Sequence, residues 1–205
     1  GIDVRVTPDA PAPAVAELTI GLILAMLRKI ALLDGRVRAG DWKKEQGPLF
    51  AGKRVAVIGY GRIGRRVADL ATAFGAEPIA YDPITAPGDL GAILAEADIV
   101  TLHLPFSAGV RHIIDANALA RMKRGAYLVN ASRGGLVDED AVCTALANGH
   151  LAGAAFDVFE QEPYNGPLCQ HPNVVVTPHV GSAASEVRRR METESAANLV
   201  EALRI

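Results

Sequence analysis

Three side chains with complementary chemistry, Arg133, Glu162 and His179, lie in the second half of the chain, where predicted strands give way to loops. The guanidinium of an Arg forms a planar fork that binds a carboxylate through two hydrogen bonds. The imidazole of a His exchanges a proton near neutral pH, and a Glu on its other ring nitrogen fixes the tautomer. Together these groups suit the interconversion of a hydroxy acid and a keto acid beside a bound hydride carrier.

Each of the three residues also has an ordinary structural explanation. Arg133 precedes two glycines and can cap a turn, Glu162 lies in a proline-containing loop as a solvated charge, and His179 follows a proline as a loop histidine. His103, near the end of another predicted strand, is expected to line the cofactor cleft rather than to do chemistry. Ligands of open α/β sheets bind beyond the carboxyl ends of the strands, and this shared position favours a common site.

The segment 54–82 has the pattern of a βαβ dinucleotide-binding unit. An apolar run suits a buried parallel strand, an amphipathic run suits a helix packed against it, and a second short strand follows. The glycines and the acidic terminator of the unit are Gly59, Gly61, Gly64 and Asp82.

The three glycines have separate roles in such a unit. Gly59 permits the tight turn, Gly61 lets the backbone approach a pyrophosphate, and Gly64 lets helix and strand pack closely. The free amides of Arg62 and Ile63 at the helix N-terminus favour the phosphates. The alternative to nucleotide binding is that these glycines serve only an ordinary tight turn.

Asp82 indicates which dinucleotide the unit binds. A carboxylate at this strand end accepts hydrogen bonds from the hydroxyls of the adenosine ribose, and its charge repels a 2′-phosphate. The sequence therefore predicts NAD rather than NADP as the cofactor.

Apolar runs alternate with helical patterns along the chain, which predicts an α/β fold with a doubly wound parallel sheet of the Rossmann type. We expect six strands between two helical layers, a three-layer αβα arrangement, and a seventh strand if residues 2–6 join the sheet. Ser182 is predicted to cap the last helix. The six predicted strands span residues 55–58, 78–81, 99–104, 126–130, 154–159 and 174–177.

Residues 15–33 are predicted to form one long helix that is apolar around nearly its whole circumference. Such a helix must be buried on more than one side, and Glu17 and Arg28 bracket an apolar run too short to span a membrane. The surplus apolar surface indicates a further domain or a second copy of the chain. In the polar connector 35–52, Trp42 is predicted to pack on the domain rather than stack on a ligand.

Composition disfavours several classes of partner. Half of the 205 residues are hydrophobic and the formal charge is −2, so neither nucleic acid nor a membrane is expected. Cys143 and Cys169 lack the spacing of a zinc site or a disulfide framework, and no metal is expected. Since no signal peptide opens the chain, a cytoplasmic location is the default expectation.

The motifs as a set resemble one family. GYGRIG with Asp82, LHLP, VNASRGGLVDEDAV, AGAAFDVFEQEP and VVVTPHVGSA are similar to those of the D-isomer-specific 2-hydroxyacid dehydrogenases, which include D-3-phosphoglycerate dehydrogenases, glyoxylate/hydroxypyruvate reductases and D-lactate dehydrogenases. The resemblance implies an NAD-dependent oxidoreductase that interconverts a D-2-hydroxy acid and its 2-keto acid. Arg133 would then bind the substrate, His179 would be the acid/base, and Glu162 would be its partner.

The predicted strand ends and the resemblance together give a set of expected cofactor contacts, in which Asp157 at its strand end hydrogen-bonds the nicotinamide carboxamide. With the glycines of the βαβ unit, the expected cofactor-binding residues are Arg62, Ile63, Asp82, His103, Leu104, Pro105, Ala131, Ser132, Arg133, Asp157, His179, Gly181 and Ser182. One departure stands at residues 106–109, where the family commonly has a Thr-Pro stretch.

The resemblance further implies a division of the chain. Residues 1–205 are expected to be the NAD-binding domain, with a connecting strand and linker at 1–13 and an interdomain and dimer helix at 14–34. The substrate domain would be largely absent, which leaves the substrate open between 3-phosphoglycerate and glyoxylate or hydroxypyruvate. The alternatives are an NAD-responsive binding module like the C-terminal-binding-protein co-repressors, and a fragment that binds NAD without turnover.

Overall fold

The computed structural model describes residues 2–203, and its centre is a parallel sheet of six strands in the order β2-β1-β3-β4-β5-β6. Runs rich in Val, Ile, Leu and Ala form these strands, because a parallel sheet covered on both faces requires apolar residues on both. The strands are β1 (Arg54–Ile58), β2 (Glu77–Tyr81), β3 (Ile99–Leu102), β4 (Ala126–Asn130), β5 (Leu151–Phe156) and β6 (Val174–Val176).

Helices cover both faces of the sheet. The helices are α1 (Ala12–Leu27), α2 (Ile30–Arg38), α3 (Arg62–Ala73), α4 (Leu90–Glu96), α5 (Ala116–Arg121), α6 (Glu139–Ala147) and α7 (Ser185–Ala202). Buried residues of α1 and α3 form one apolar core with the sheet, and those of α4, α5 and α6 form the other. The predicted doubly wound parallel sheet in three layers is therefore confirmed.

The strand expected at residues 2–6 is wrong. Ile2, Val4 and Val6 are exposed, and the segment joins no sheet. It lies instead beside α7, where Arg5 forms an ion pair with Glu201 at 2.9 Å. An apolar alternation becomes a strand only when a neighbouring strand edge is there to receive its backbone hydrogen bonds.

The single helix expected at residues 15–33 is also wrong, because the backbone breaks between α1 and α2. Lys29 has a left-handed φ of 53°, and its ammonium group binds Glu45 in the following connector, as does Arg36 from α2. Hydrogen bonds from Lys29 and Arg36 lower the pKa of Glu45 below its ordinary value. This ion-pair cluster fixes the direction in which α2 leaves the domain.

Three smaller expectations need correction. Trp42 does not hold the connector on the domain, since 79% of its surface is exposed. Ser182 does not cap the last helix, which begins at Ser185 without a side-chain cap. Strand β5 ends at Phe156, so Asp157 stands just beyond the strand end rather than within the strand. In residues 2–203, no helix is both long and apolar enough to cross a membrane.

Candidate active site

Two of the three glycines in the turn after β1 have no room for a side chain. Gly59 has a φ of +100°, and a Cβ there would lie 2.5 Å from the carbonyl carbon of His103. A Cβ on Gly64 would lie 1.9 Å from the carbonyl oxygen of Gly59. A Cβ on Gly61, by contrast, would meet nothing within 4 Å, so the backbone there faces open space where α3 begins at Arg62. The turn therefore leaves a cradle beside a helix N-terminus.

Asp82 follows β2 and holds the two loops that flank this cradle. Its Oδ2 accepts a hydrogen bond from the Tyr60 amide at 2.9 Å, and its Oδ1 accepts from the amides of Ile84 and Thr85, each at 2.9 Å. Burial acts to raise the pKa of Asp82, but the hydrogen bonds from Thr85, Ile84 and Tyr60 outweigh it and leave the pKa below its ordinary value. Because a carboxylate oxygen accepts two hydrogen bonds, Oδ2 retains room for one more donor.

The loop that carries Arg133 is fixed by the buried Asn130 at the end of β4. Its Oδ1 accepts from the Ser132 amide at 3.1 Å, and its Nδ2 donates to the Arg133 carbonyl at 2.9 Å. The Ser132 hydroxyl donates to the Leu104 carbonyl at 2.6 Å, which ties this loop to the one after β3. These bonds hold the backbone of Arg133 at the carboxyl edge of the sheet, and its guanidinium donates from Nη1 to the Ser132 carbonyl at 2.6 Å.

His179 and Glu162 form a hydrogen-bonded pair, as expected from the sequence. Nδ1 of His179 lies 2.8 Å from Oε2 of Glu162, whose Oε1 accepts from the Phe159 amide at 3.0 Å. Burial acts to raise the pKa of Glu162, but the hydrogen bonds from His179 and Phe159 outweigh it and lower the pKa. With Nδ1 donating to Glu162, Nε2 is the ring nitrogen of His179 left to exchange a proton.

Asp157 fixes the turn on which His179 stands. It is 1% exposed, and its carboxylate accepts from the Thr177 hydroxyl at 2.6 Å and from the amides of Val180 and Gly181 at 2.8 Å. Its carbonyl accepts from the His179 amide at 2.8 Å. A contact to the nicotinamide carboxamide stays a prediction for Asp157. Among residues 2–203, its Oδ2 accepts a hydrogen bond from the Gly181 amide alone, which leaves room for a second donor.

A cleft of about 260 Å³ brings together most of the predicted site residues. Pro11, Val15 and Met191 complete its wall. The predicted residues that line it are Ile63, His103, Ala131, Ser132, Arg133, Asp157, His179, Gly181 and Ser182. Glu162 lies outside this cleft, on a neighbouring cavity of about 530 Å³ that it shares with His179.

Besides the three glycines and Asp82 of the βαβ unit, three further predicted cofactor residues lie away from that cleft. The side chain of Arg62 forms an ion pair with Asp9 in an open depression beside α3. Leu104 is buried and Pro105 is exposed, and neither lines the cleft. These three assignments remain predictions.

His103 lines the cleft as a neutral group. Its Nε2 lies 3.0 Å from the Thr101 hydroxyl, while its buried Nδ1 has no hydrogen-bond partner within residues 2–203. Burial lowers its pKa to about 3. A neutral ring carries no imidazolium proton to give to a substrate, which agrees with the lining role expected of His103.

Several residues that shape the site were missed at the level of sequence. Thr177 and Asn130 act through hydrogen bonds that only the fold creates. Phe106, in the stretch that departs from the family, packs on Gly135, where a Cβ would lie 2.6 Å from its ring. The position of Thr177 two residues before His179 was the one available signal.

Comparison with known proteins agrees with this geometry. The sequence model described as "D-isomer specific 2-hydroxyacid dehydrogenase, NAD binding domain" matches residues 20–181. A glyoxylate reductase of Thermofilum pendens is 40% identical over the whole chain, which covers 66% of that protein. A D-3-phosphoglycerate dehydrogenase of Methanocaldococcus jannaschii is also 40% identical over the whole chain, which covers 42% of it.

The solved structures give the same result. The crystal structure of a glyoxylate reductase from Paecilomyes thermophila superimposes with a TM-score of 0.93 at 35% identity, over the whole chain and 66% of that protein. The chain thus spans two thirds or less of the length of the relatives named here.

Proposed function

Because the chain belongs to the D-isomer specific 2-hydroxyacid dehydrogenase family, whose NAD-binding domain it matches, we propose that the protein interconverts a D-2-hydroxy acid and its 2-keto acid. One observation carries the proposal. Arg133 and His179 line the same cleft. Glu162 binds Nδ1 of His179, which leaves Nε2 to exchange a proton with the substrate. A carboxylate fork and a proton site on one cleft suit a 2-hydroxy acid.

The residues at the glycine turn fit NAD. The open space over Gly61 admits a pyrophosphate to the backbone, and Oδ2 of Asp82 retains room for a ribose hydroxyl. NAD held there would supply the hydride acceptor for oxidation of the substrate carbon and, as NADH, the hydride donor for its reduction. Ile63 and Asp157 line the adjoining cleft, in agreement with the cofactor contacts expected of them.

The chain itself supplies binding and proton transfer. In the oxidising direction, neutral His179 removes the hydroxyl proton through Nε2, and in the reducing direction the protonated ring donates it. Arg133 holds the carboxylate and stabilises negative charge on the reacting oxygen. Glu162 orients the ring and stabilises its protonated form through Nδ1.

Turnover of a panel of 2-keto acids by the full-length protein tests this proposal. Glyoxylate, hydroxypyruvate and 3-phosphohydroxypyruvate are the first choices, and the absorbance of NADH reports the reaction. We expect oxidation of NADH with at least one of them. Binding of NADH without any turnover would instead support the co-repressor-like binding module or a cofactor domain that does not catalyse.

We further propose that residues 1–205 form the cofactor domain of a homodimer that associates through α2 and the connector that follows it, rather than through α1, most of whose apolar residues are buried within the domain. Ile30 and Val37 of α2, with Trp42 and Leu49 of the connector, expose about half or more of their surfaces. Exposed apolar side chains that recur along a segment, as these four do along residues 30–49, are typical of protein interfaces. Light scattering should give a dimer, which Val37→Asp weakens and Leu199→Asp, on α7, does not. A monomer at high concentration would contradict this assignment.

A cytoplasmic location is also proposed. The two cysteines, Cys143 and Cys169, are free, as is usual in reducing compartments. Cell fractionation measures this, and recovery of the protein outside the cytoplasm would contradict it.

A further inference from the structure

The loop that carries Arg133 and the loop that carries Glu162 follow different strands and yet touch through their backbones. A Cβ built on Gly134 would lie 1.9 Å from the carbonyl carbon of Phe159 and 2.0 Å from its oxygen. No side chain separates the two loops at this point. The position of Arg133 relative to Glu162, and so to His179, therefore depends on how tightly the loops are held together.

A third segment bridges the two loops. The amide of His112 donates to the Gly135 carbonyl at 2.9 Å, and Nε2 of its ring lies 2.8 Å from Oε1 of Glu160. Arg111 adds an ion pair to the same carboxylate at 2.9 Å. His112 is thus bound through its backbone to the Arg133 loop and through its side chain to the Glu162 loop.

The backbone of His112 shows that this bridge is constrained. Its φ of 48° lies in the left-handed region, which costs free energy for a residue other than glycine and persists only where the surroundings fix it. On the far side, the Glu160 amide donates to Oε1 of Glu139 at 2.8 Å, at the start of α6. Glu160 is therefore held through its side chain by Arg111 and His112 and through its backbone amide by Glu139.

We infer that His112 and Glu160 are positioning residues, which close a clasp between the substrate-binding loop at Arg133 and the acid/base loop at Glu162. The inference rests on the proposed function and adds to it. The mechanism needs the carboxylate fork and Nε2 of His179 at a fixed separation, since small misplacements of reacting groups cost large factors in rate. The clasp sets that separation without touching the substrate.

Steady-state kinetics of His112→Ala and His112→Gln in the full-length protein test the clasp. We expect His112→Ala to lower kcat/KM for the keto acid by about tenfold or more, with a raised KM, because the Arg133 loop is no longer tied to the Glu162 loop through Glu160. The Kd for NADH stays within about twofold, since the glycine turn lies elsewhere. His112→Gln restores most of the loss, because its amide group donates to Glu160 at a similar reach, and both variants share the cost of the left-handed backbone.

The matched control is Glu192→Ala, which removes an exposed ion pair with Arg188 from α7. Equal kinetics for His112→Ala and Glu192→Ala would overturn the inference, as would a loss that His112→Gln does not restore. Should His112→Ala fail to fold, Glu160→Gln tests the same contact, and we expect a smaller loss in the same direction.

A readout without turnover separates this inference from the proposed function. If the parent protein turns over no keto acid, the proposed function fails, and amide hydrogen exchange then decides on the clasp. The amides of Leu136 and Phe159 donate to the Arg133 carbonyl and to Glu162. We expect faster exchange at both in His112→Ala and recovery in His112→Gln. Unchanged exchange would overturn the clasp.

Discussion

Replacing His179 with Gln is expected to lower kcat by about a thousandfold, within the range that general acid–base catalysis contributes. Gln fills a similar volume and can keep a hydrogen bond to Glu162, but it has no nitrogen that exchanges a proton near neutral pH. The loss falls on kcat because the chemistry loses its proton donor and acceptor. The Kd for NADH, measured by fluorescence titration, should stay within about twofold, since the glycine turn and Asp82 bind the cofactor.

The control for this variant is His171→Gln. His171 stands in the loop before β6, where its Nδ1 accepts from the Asn173 amide at 3.2 Å, and it lines neither the 260 Å³ cleft nor the neighbouring cavity. Its kinetics should match those of the parent protein. If His179→Gln kept a tenth or more of the parent kcat, another group would have to move the proton, and the assignment to His179 would be wrong.

The residues that sequence reasoning placed well are those that follow a strand directly. Asp82, His103 and Asp157 each come immediately after the last residue of a strand. In a parallel sheet all such positions meet at one edge, so the strand pattern alone predicts that they lie close together. Arg133 and His179 each come three residues after the last residue of a strand, where a short loop cannot carry them far from that edge.

The features that sequence reasoning missed depend on contacts between distant parts of the chain. The break between α1 and α2 is fixed by Glu45, and the contact of His112 with Glu160 joins residues 48 positions apart. Neither contact leaves a local periodicity or a composition bias. Trp42 shows the converse, because a bulky apolar residue predicts burial only if the fold provides a surface for it.

Asp157 shows that one residue type at a predicted position can have more than one role. The sequence position favours a contact with the cofactor, whereas the structure shows three donors on the carboxylate, one of them the hydroxyl of Thr177. A buried carboxylate with several donors is costly to remove, because the donors are then left unsatisfied. The turn that presents His179 therefore depends on Asp157 whether or not the nicotinamide contacts it.

Asp82 combines two roles in the same way, and Asp82→Asn separates them. We expect the Kd for NADH to rise by about ten- to a hundredfold, the equivalent of one hydrogen bond to a charged group. The Kd for NADPH should change less or fall, because the charge that repels a 2′-phosphate is gone. The guanidinium of Arg65 lies 5.0 Å from the ring centroid of Tyr60, and this cation remains beside the turn when Asp82→Asn removes the negative charge. Fluorescence titration with both cofactors measures the preference.

Asp69→Asn is the matched control, since it removes the same charge from an exposed position on α3 and should leave both Kd values unchanged.

The pH dependence gives a second test of Asp82. The pKa of Asp82 is lowered in the folded protein. Ionised Asp82 therefore adds to the free energy of unfolding at any pH above its unfolded pKa of about 3.9, and this contribution is lost as pH falls through the folded pKa. Asp82→Asn should remove this acid-dependent loss of stability. Its weaker NADH binding should already be present at pH 7. An unchanged ratio of the two Kd values at pH 7 would mean that Asp82 serves only to hold the amides of Tyr60, Ile84 and Thr85, and that the choice between NAD and NADP is made elsewhere.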